Sequence, residues 1–135
     1  MQPYLNAVKE FHDAFGIPNA DHPFVPINEA TVRLRHRLMA EENDEYLEAA
    51  LAQNTVEIAD ALGDQLYILC GTLLAHGMGE VIDQVFSAIQ ASNMSKLGAD
   101  GRPIYREDGK VLKGPGYFRP DIASVLDKHS DRRSE

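Results

Sequence analysis

The sequence predicts an all-α fold, a four-helix bundle followed by a short hairpin-and-loop tail. Three observations predict it. Apolar residues recur at helical spacing as far as Lys96. Short links carrying Gly, Pro or Asn divide that region into four stretches. From Gly98 onward the pattern changes to Gly- and Pro-rich loops around two short strand-like runs. The chain of 135 residues suits one domain spanning residues 1–135, with a single core and no need of disulfides.

The first helix is expected over residues 3–15, with Leu5, Val8, Phe11 and Phe15 on one stripe. Gly16, Pro18, Pro23 and Pro26 end it and make a loop. Asn28 is placed to cap the second helix, which runs to about residue 52. Asn54 or Thr55 starts the third, which runs to about residue 75 and stops at Gly77 and Gly79. The fourth covers about residues 80–96. Short links make consecutive helices antiparallel neighbours, hence a bundle. Met39, Tyr67, Phe86 and Met94 lie at helical spacing among apolar residues and are read as core. In the tail, residues 104–106 and 110–112 flank Asp108-Gly109, a dipeptide that favours a hairpin turn. Pro120 opens a last short helix to about residue 127, and the final SDRRSE is expected to fray.

Composition narrows the function. The net charge of -8 disfavours binding to duplex nucleic acid, whose affinity comes from Lys and Arg on phosphates. The distribution is uneven: residues 38–95 hold ten acids and no Lys or Arg, whereas residues 96–119 hold six basic residues and three acids. An acidic middle and a basic tail suit opposite ends of one ligand, metal ions meeting the acids and phosphates the bases. On charge alone, a solvated acidic surface and a solvated basic tail are the reading to prefer. The one cysteine, Cys70, builds no disulfide framework. The opening MQPYLNAVKEF does not read as a signal peptide, and the longest apolar run, residues 66–75, is too short to span a bilayer. A soluble cytoplasmic protein is expected.

The strongest chemical signal is Glu41-Glu42-Asn43-Asp44-Glu45 on the second helix and Glu57-Ile58-Ala59-Asp60 on the third. Residues three or four apart share a helical face, so Glu41, Glu42 and Glu45 cluster, and so do Glu57, Asp60 and Asp64. Asp60 and Asp64 fall on the stripe continued by Ile68 and Gly71, so these acids point where apolar residues point. Crowded carboxylates repel and are costly to bury, and a hard divalent cation removes that cost. Magnesium takes oxygen ligands and shares its shell with phosphates, so a magnesium cage for a polyphosphate is the chemistry this pattern suits. A di-iron centre would need Glu-x-x-His pairs, but Lys9, Asn19, Arg33, Leu73 and Leu126 stand three before the five histidines. Zinc is disfavoured by one Cys and scattered His. The second signal is Ser92-Asn93-Met94-Ser95-Lys96 with Lys110, Lys113, Tyr117 and Arg119 in the Gly-rich tail, a set able to bind phosphate or cover a base.

The two acid motifs on consecutive helices, with SNMSK and the tail DGRPIYREDGKVLKGPGYFRPD, resemble the MazG-like all-α nucleoside triphosphate pyrophosphatases, relatives of phosphoribosyl-ATP pyrophosphohydrolase. The opening VKEFHDAFGIP is similar as well, so the resemblance covers about residues 8–121. It implies Mg2+, with Mn2+ as a substitute, held by Glu42, Glu45, Glu57 and Asp60. Asp64 continues the second motif. It implies that Glu41 orients or deprotonates the attacking water, that Asn93 and Lys96 contact nucleotide or phosphates, and that Lys110, Lys113 and Tyr117 contribute from the tail. Eleven residues separate Glu45 from Glu57, which is short for the family and leaves Asp64 an alternative ligand. The implied reaction is hydrolysis of a nucleoside triphosphate to monophosphate and pyrophosphate by a homodimer or dimer of dimers. Phosphoribosyl-ATP as substrate, and a non-catalytic helical binding module, stand as the alternatives.

Overall fold

The computed structural model describes residues 1–134. It contains α1 (Gln2–Phe15), α2 (Glu29–Leu51), α3 (Thr55–Ala75), α4 (Ile82–Met94), β1 (Ile104–Tyr105), β2 (Val111–Leu112) and α5 (Ile122–Ser134). The all-α class expected from the sequence is the class found, with one two-stranded sheet in the tail. The chain divides into two compact units, Met1–Glu80 and Val81–Glu135.

In the first unit α3 packs against both α1 and α2. The α2–α3 link is three residues long, and Gln53 takes a left-handed backbone (φ 54°) to turn the chain back. Asn28 Oδ1 accepts the Thr31 N–H at 2.8 Å, and Asn54 Oδ1 accepts the Glu57 N–H at 3.2 Å. Both expected caps therefore satisfy a donor that the helix leaves free. The antiparallel seam is lined by small residues. Ala49 of α2 and Ala61, Gly71 and Ala75 of α3 are buried. Small side chains let two backbones approach closely, and this brings long acidic side chains above and below them within reach of one another. By length and composition α3 is apolar enough to cross a membrane (mean hydropathy 1.3), yet Asp60 and Asp64 interrupt it.

Three expectations need correction. On α1 the buried stripe is Leu5, Val8 and His12, not Leu5, Val8, Phe11 and Phe15; Phe15 is 70% exposed. His12 wins the inward position because its Nδ1 donates to Asn19 Oδ1 at 2.6 Å, which satisfies a buried polar ring. Phe11 instead meets Phe15 and Tyr67 at the surface. Tyr67, Phe86 and Met94, read as core, are exposed. The last helix continues past residue 127 to Ser134, so SDRRSE is helical as far as it is described. Asp121 starts it, its carboxylate accepting the Ser124 N–H at 3.1 Å and the Ser124 hydroxyl at 2.7 Å.

In the second unit α4 contacts α5, and the hairpin pairs Ile104 with Leu112 and Tyr105 with Val111 around Asp108-Gly109. Arg106 pairs with Asp108 across that turn.

Candidate metal centre

The α2–α3 seam fixes which acids meet. Glu42 and Glu45 lie one turn apart on α2, and Asp64 faces them from α3. Each offers a carboxylate oxygen, and these three atoms lie within 4.8 Å of one another. Glu42 and Asp64 are half-buried, while Glu45 is exposed. Glu42 Oε2 is buried with no hydrogen-bond partner, a condition that normally costs stability. Burial pushes the Glu42 carboxyl above its ordinary value. The negative charges of Glu45, Asp64 and Asp60 push it the same way. Three carboxylates this close, one of them with a buried oxygen that lacks a partner, fit a hard divalent cation, which needs oxygen donors and relieves the repulsion.

The other candidate acids sit beside this group rather than in it. Glu57 and Asp60 are exposed and line an open cavity of about 370 Å³ with Glu45, Glu48, Ala49, Ala52, Asn54 and Ala61. Glu45 belongs to both sets and joins them. Glu41 is exposed, about 100° around α2 from Glu42. Glu48 went unremarked in the sequence, although it stands three residues after Glu45 on the same face; the E-E-x-x-E reading stopped one turn early.

Asn93, Lys96, Lys110, Lys113 and Tyr117 all belong to the second unit. Asn93 is exposed on α4, and Lys96 is half-buried just past its end. Lys110 is exposed, and its N–H donates to Asp108 Oδ1 at 3.1 Å. Lys113 Nζ stands 4.6 Å from the centre of the Tyr117 ring, a cation–π pair. The sequence reading missed what Ser92 and Ser95 do. Ser92 Oγ donates to the Phe118 carbonyl at 2.8 Å, and Ser95 Oγ accepts the Phe118 N–H at 3.1 Å. The Gly114 N–H donates to the Lys96 carbonyl at 2.8 Å, and a side chain at Gly114 would collide with the Leu97 carbonyl. The serines of SNMSK thus clasp the returning tail onto the end of α4. Ser-x-x-Ser at a helix end was the available signal.

Facing helices bring three carboxylates to one point, a donor set of the kind that suits a divalent metal ion in a helical protein. The family is narrower. Residues 8–93 match the phosphoribosyl-ATP pyrophosphohydrolase family, and the chain belongs to it. It is 40% identical over 131 residues to uncharacterized protein L479 of Acanthamoeba polyphaga mimivirus. That match takes in 93% of this chain and 48% of the viral protein, so the chain spans about half the length of the curated relative it matches. It is also similar to the crystal structure of a candidate NTP pyrophosphohydrolase from Exiguobacterium sp. 255-15. There the TM-score is 0.53 at 30% identity, covering 96% of this chain and 97% of that one.

The raised Glu42 carboxyl makes a prediction about stability. Folding disfavours its charged form, so without metal the penalty is absent below its ordinary value near 4.5. It grows as pH rises from there through the raised folded value. In EDTA, Glu42→Gln is expected to melt above the wild type at neutral pH, with the difference vanishing in acid. Thermal unfolding of both proteins across pH measures this. A variant less stable than wild type at neutral pH contradicts it.

Proposed function

We propose that this protein is a magnesium-dependent pyrophosphohydrolase that converts a nucleoside triphosphate, ribo or deoxy, into the monophosphate and pyrophosphate. One observation carries the reading: the carboxylates of Glu42, Glu45 and Asp64 converge within 4.8 Å, with Glu42 Oε2 lacking any partner. Family membership and the likeness to the Exiguobacterium protein support the same reaction class. Glu42, Glu45 and Asp64 would hold Mg2+, or Mn2+ in its place, and Glu57 and Asp60 would complete the set from the adjoining cavity. Bound there, the cation would neutralise phosphate charge and lower the pKa of a water.

The chain's own residues supply the rest. Glu41 orients the attacking water and takes its proton. The water oxygen bonds to one phosphorus of the α–β bridge, its P–O(bridge) bond breaks, and the bridging oxygen leaves with the electron pair on the other half, which is pyrophosphate after attack at the α-phosphorus and the monophosphate after attack at the β-phosphorus. In the second unit, Asn93, Lys96, Lys110, Lys113 and Tyr117 are the nucleotide-contacting residues. Lysine serves there as a point charge for phosphate, and Tyr117 offers a face for a base. The cellular role that follows is house-cleaning of the cytoplasmic nucleotide pool.

We infer also that a second copy of the chain covers the apolar surface of the first unit. Leu51 and Val56, at the α2–α3 turn, are 76% and 75% exposed, and Leu47, Leu62 and Leu69 are exposed on the same two helices. Soluble monomers rarely leave such side chains uncovered in a group. Sedimentation equilibrium is expected to give a dimer or a dimer of dimers, and a monomer at micromolar concentration overturns this inference.

Pyrophosphate release from a panel of standard and damaged NTPs and dNTPs, together with phosphoribosyl-ATP, tests the reaction. Release with Mg2+ and none with EDTA is expected for at least one triphosphate. Release from phosphoribosyl-ATP alone would replace the triphosphate reading, and no release from any member would remove the enzymatic one. Glu45→Ala and Asp60→Ala should each lower turnover by more than the roughly 10- to 100-fold typical of groups that merely orient ligands. Full activity of either folded variant would undo that ligand's assignment.

A further inference from the structure

Arg35 is buried, at 7% exposed, in the core shared by α1, α2 and α3. Its Nη2 donates to the Ile68 carbonyl at 2.8 Å and its Nε donates to Thr72 Oγ1 at 3.0 Å. Thr72 Oγ1 in turn donates to the same Ile68 carbonyl at 2.8 Å. Neither acceptor is a carboxylate. The guanidinium reaches them because Gly71 has no side chain: a Cβ there would stand 2.5 Å from Arg35 Nη2 and 3.0 Å from His12 Nε2. A buried cation held by neutral acceptors is a poor source of net stability, since apolar residues of similar volume pack the same space without the desolvation cost. A polar group in a helical seam does have one well-attested use, which is to fix register.

The spacing ties that use to the acids. Glu42 follows Arg35 by seven residues on α2, and Asp64 precedes Gly71 by seven on α3. The helices are antiparallel, so Arg35 on Gly71 and Glu42 on Asp64 are successive two-turn layers of one seam, about 10 Å apart. Between helices of this seam, Gln65 Nε2 donates to Asn43 Oδ1 at 3.2 Å, in the same register. A slip of one turn would set Glu42 against Ile68 in place of Asp64. Beyond the acid layer, toward the turn, Ala49 and Ala61 are small and offer little to interlock against such a slip.

We propose that Arg35 is a positioning residue: hooked onto Ile68 and Thr72 through the gap at Gly71, it locks the α2–α3 register that holds Glu42 and Glu45 opposite Asp64. This rests on the reading of that cluster as a metal site. Arg35 touches no ligand; it acts through the backbone of both helices. Arg35→Met keeps the volume and removes the hook. Arg35→Lys keeps the charge and one donor. Thr72→Val keeps the shape and removes one acceptor.

The test is Mn2+ binding to each purified protein, read from the electron paramagnetic resonance of free Mn2+. An Asn43→Cys/Gln65→Cys disulfide, formed in each background without metal, reports register separately. Arg35→Met is expected to stay helical, to bind Mn2+ about tenfold more weakly and to cross-link more slowly. Arg35→Lys and Thr72→Val should fall between it and the wild type in both measures. Folded Arg35→Met with wild-type affinity and wild-type cross-linking overturns the proposal. If Arg35→Met does not fold, Thr72→Val decides by the same two measures. Slower cross-linking in a protein whose wild type binds no Mn2+ would keep the register lock and overturn the metal reading instead.

Discussion

Glu42, Glu45 and Asp64 bring carboxylate oxygens within 4.8 Å of one another, close enough to repel, and the packing of α2 on α3 is what holds them there. A tight turn at Gln53 and two asparagine caps make α2 and α3 antiparallel neighbours. Ala49, Ala61 and Gly71 then let the two backbones approach. A folding chain that placed carboxylates by stability alone would turn them to water. Here one carboxylate oxygen is buried without a partner and its proton affinity is raised as a result. A cation bound among these carboxylates, as proposed above, would relieve that repulsion.

The second unit follows a different rule. Its hairpin is short, and every strand residue is exposed. Two paired strands alone are marginal in water, so the segment depends on anchors. Ser92, Ser95 and the Lys96 carbonyl provide them, gripping Phe118 and Gly114. Lys113 and Tyr117 lie between these anchors in sequence, so their pairing is presented from a held segment.

Much of this was legible in the sequence. The helix boundaries of α2 and α3 came from asparagine caps and apolar period, both local signals. The acid cluster came from three- and four-residue spacing together with the apolar stripe through Asp64. What could not be read were choices made by packing. Phe11 and Phe15 satisfy the period of α1 as well as His12 does, and only the partner at Asn19 decides for the histidine. Arg33, Arg35 and Arg37 alternate along one stretch and look alike in sequence. Only the gap at Gly71 singles out Arg35 for burial. Spacing along one helix groups Glu57 with Asp60 and Asp64, yet which of them meets Glu42 depends on the register across the seam, a relation between distant residues.

The central claim is that the Glu42–Glu45–Asp64 cluster is an unstable arrangement until a divalent cation joins it. Thermal unfolding at neutral pH, with and without millimolar Mg2+, tests it most directly when the wild type is run beside Glu42→Gln/Asp64→Asn. The account predicts that Mg2+ raises the wild-type Tm and leaves the double variant unmoved, since only a ligand bound to the folded state stabilises it. An equal rise in both proteins, or none in the wild type, would contradict it.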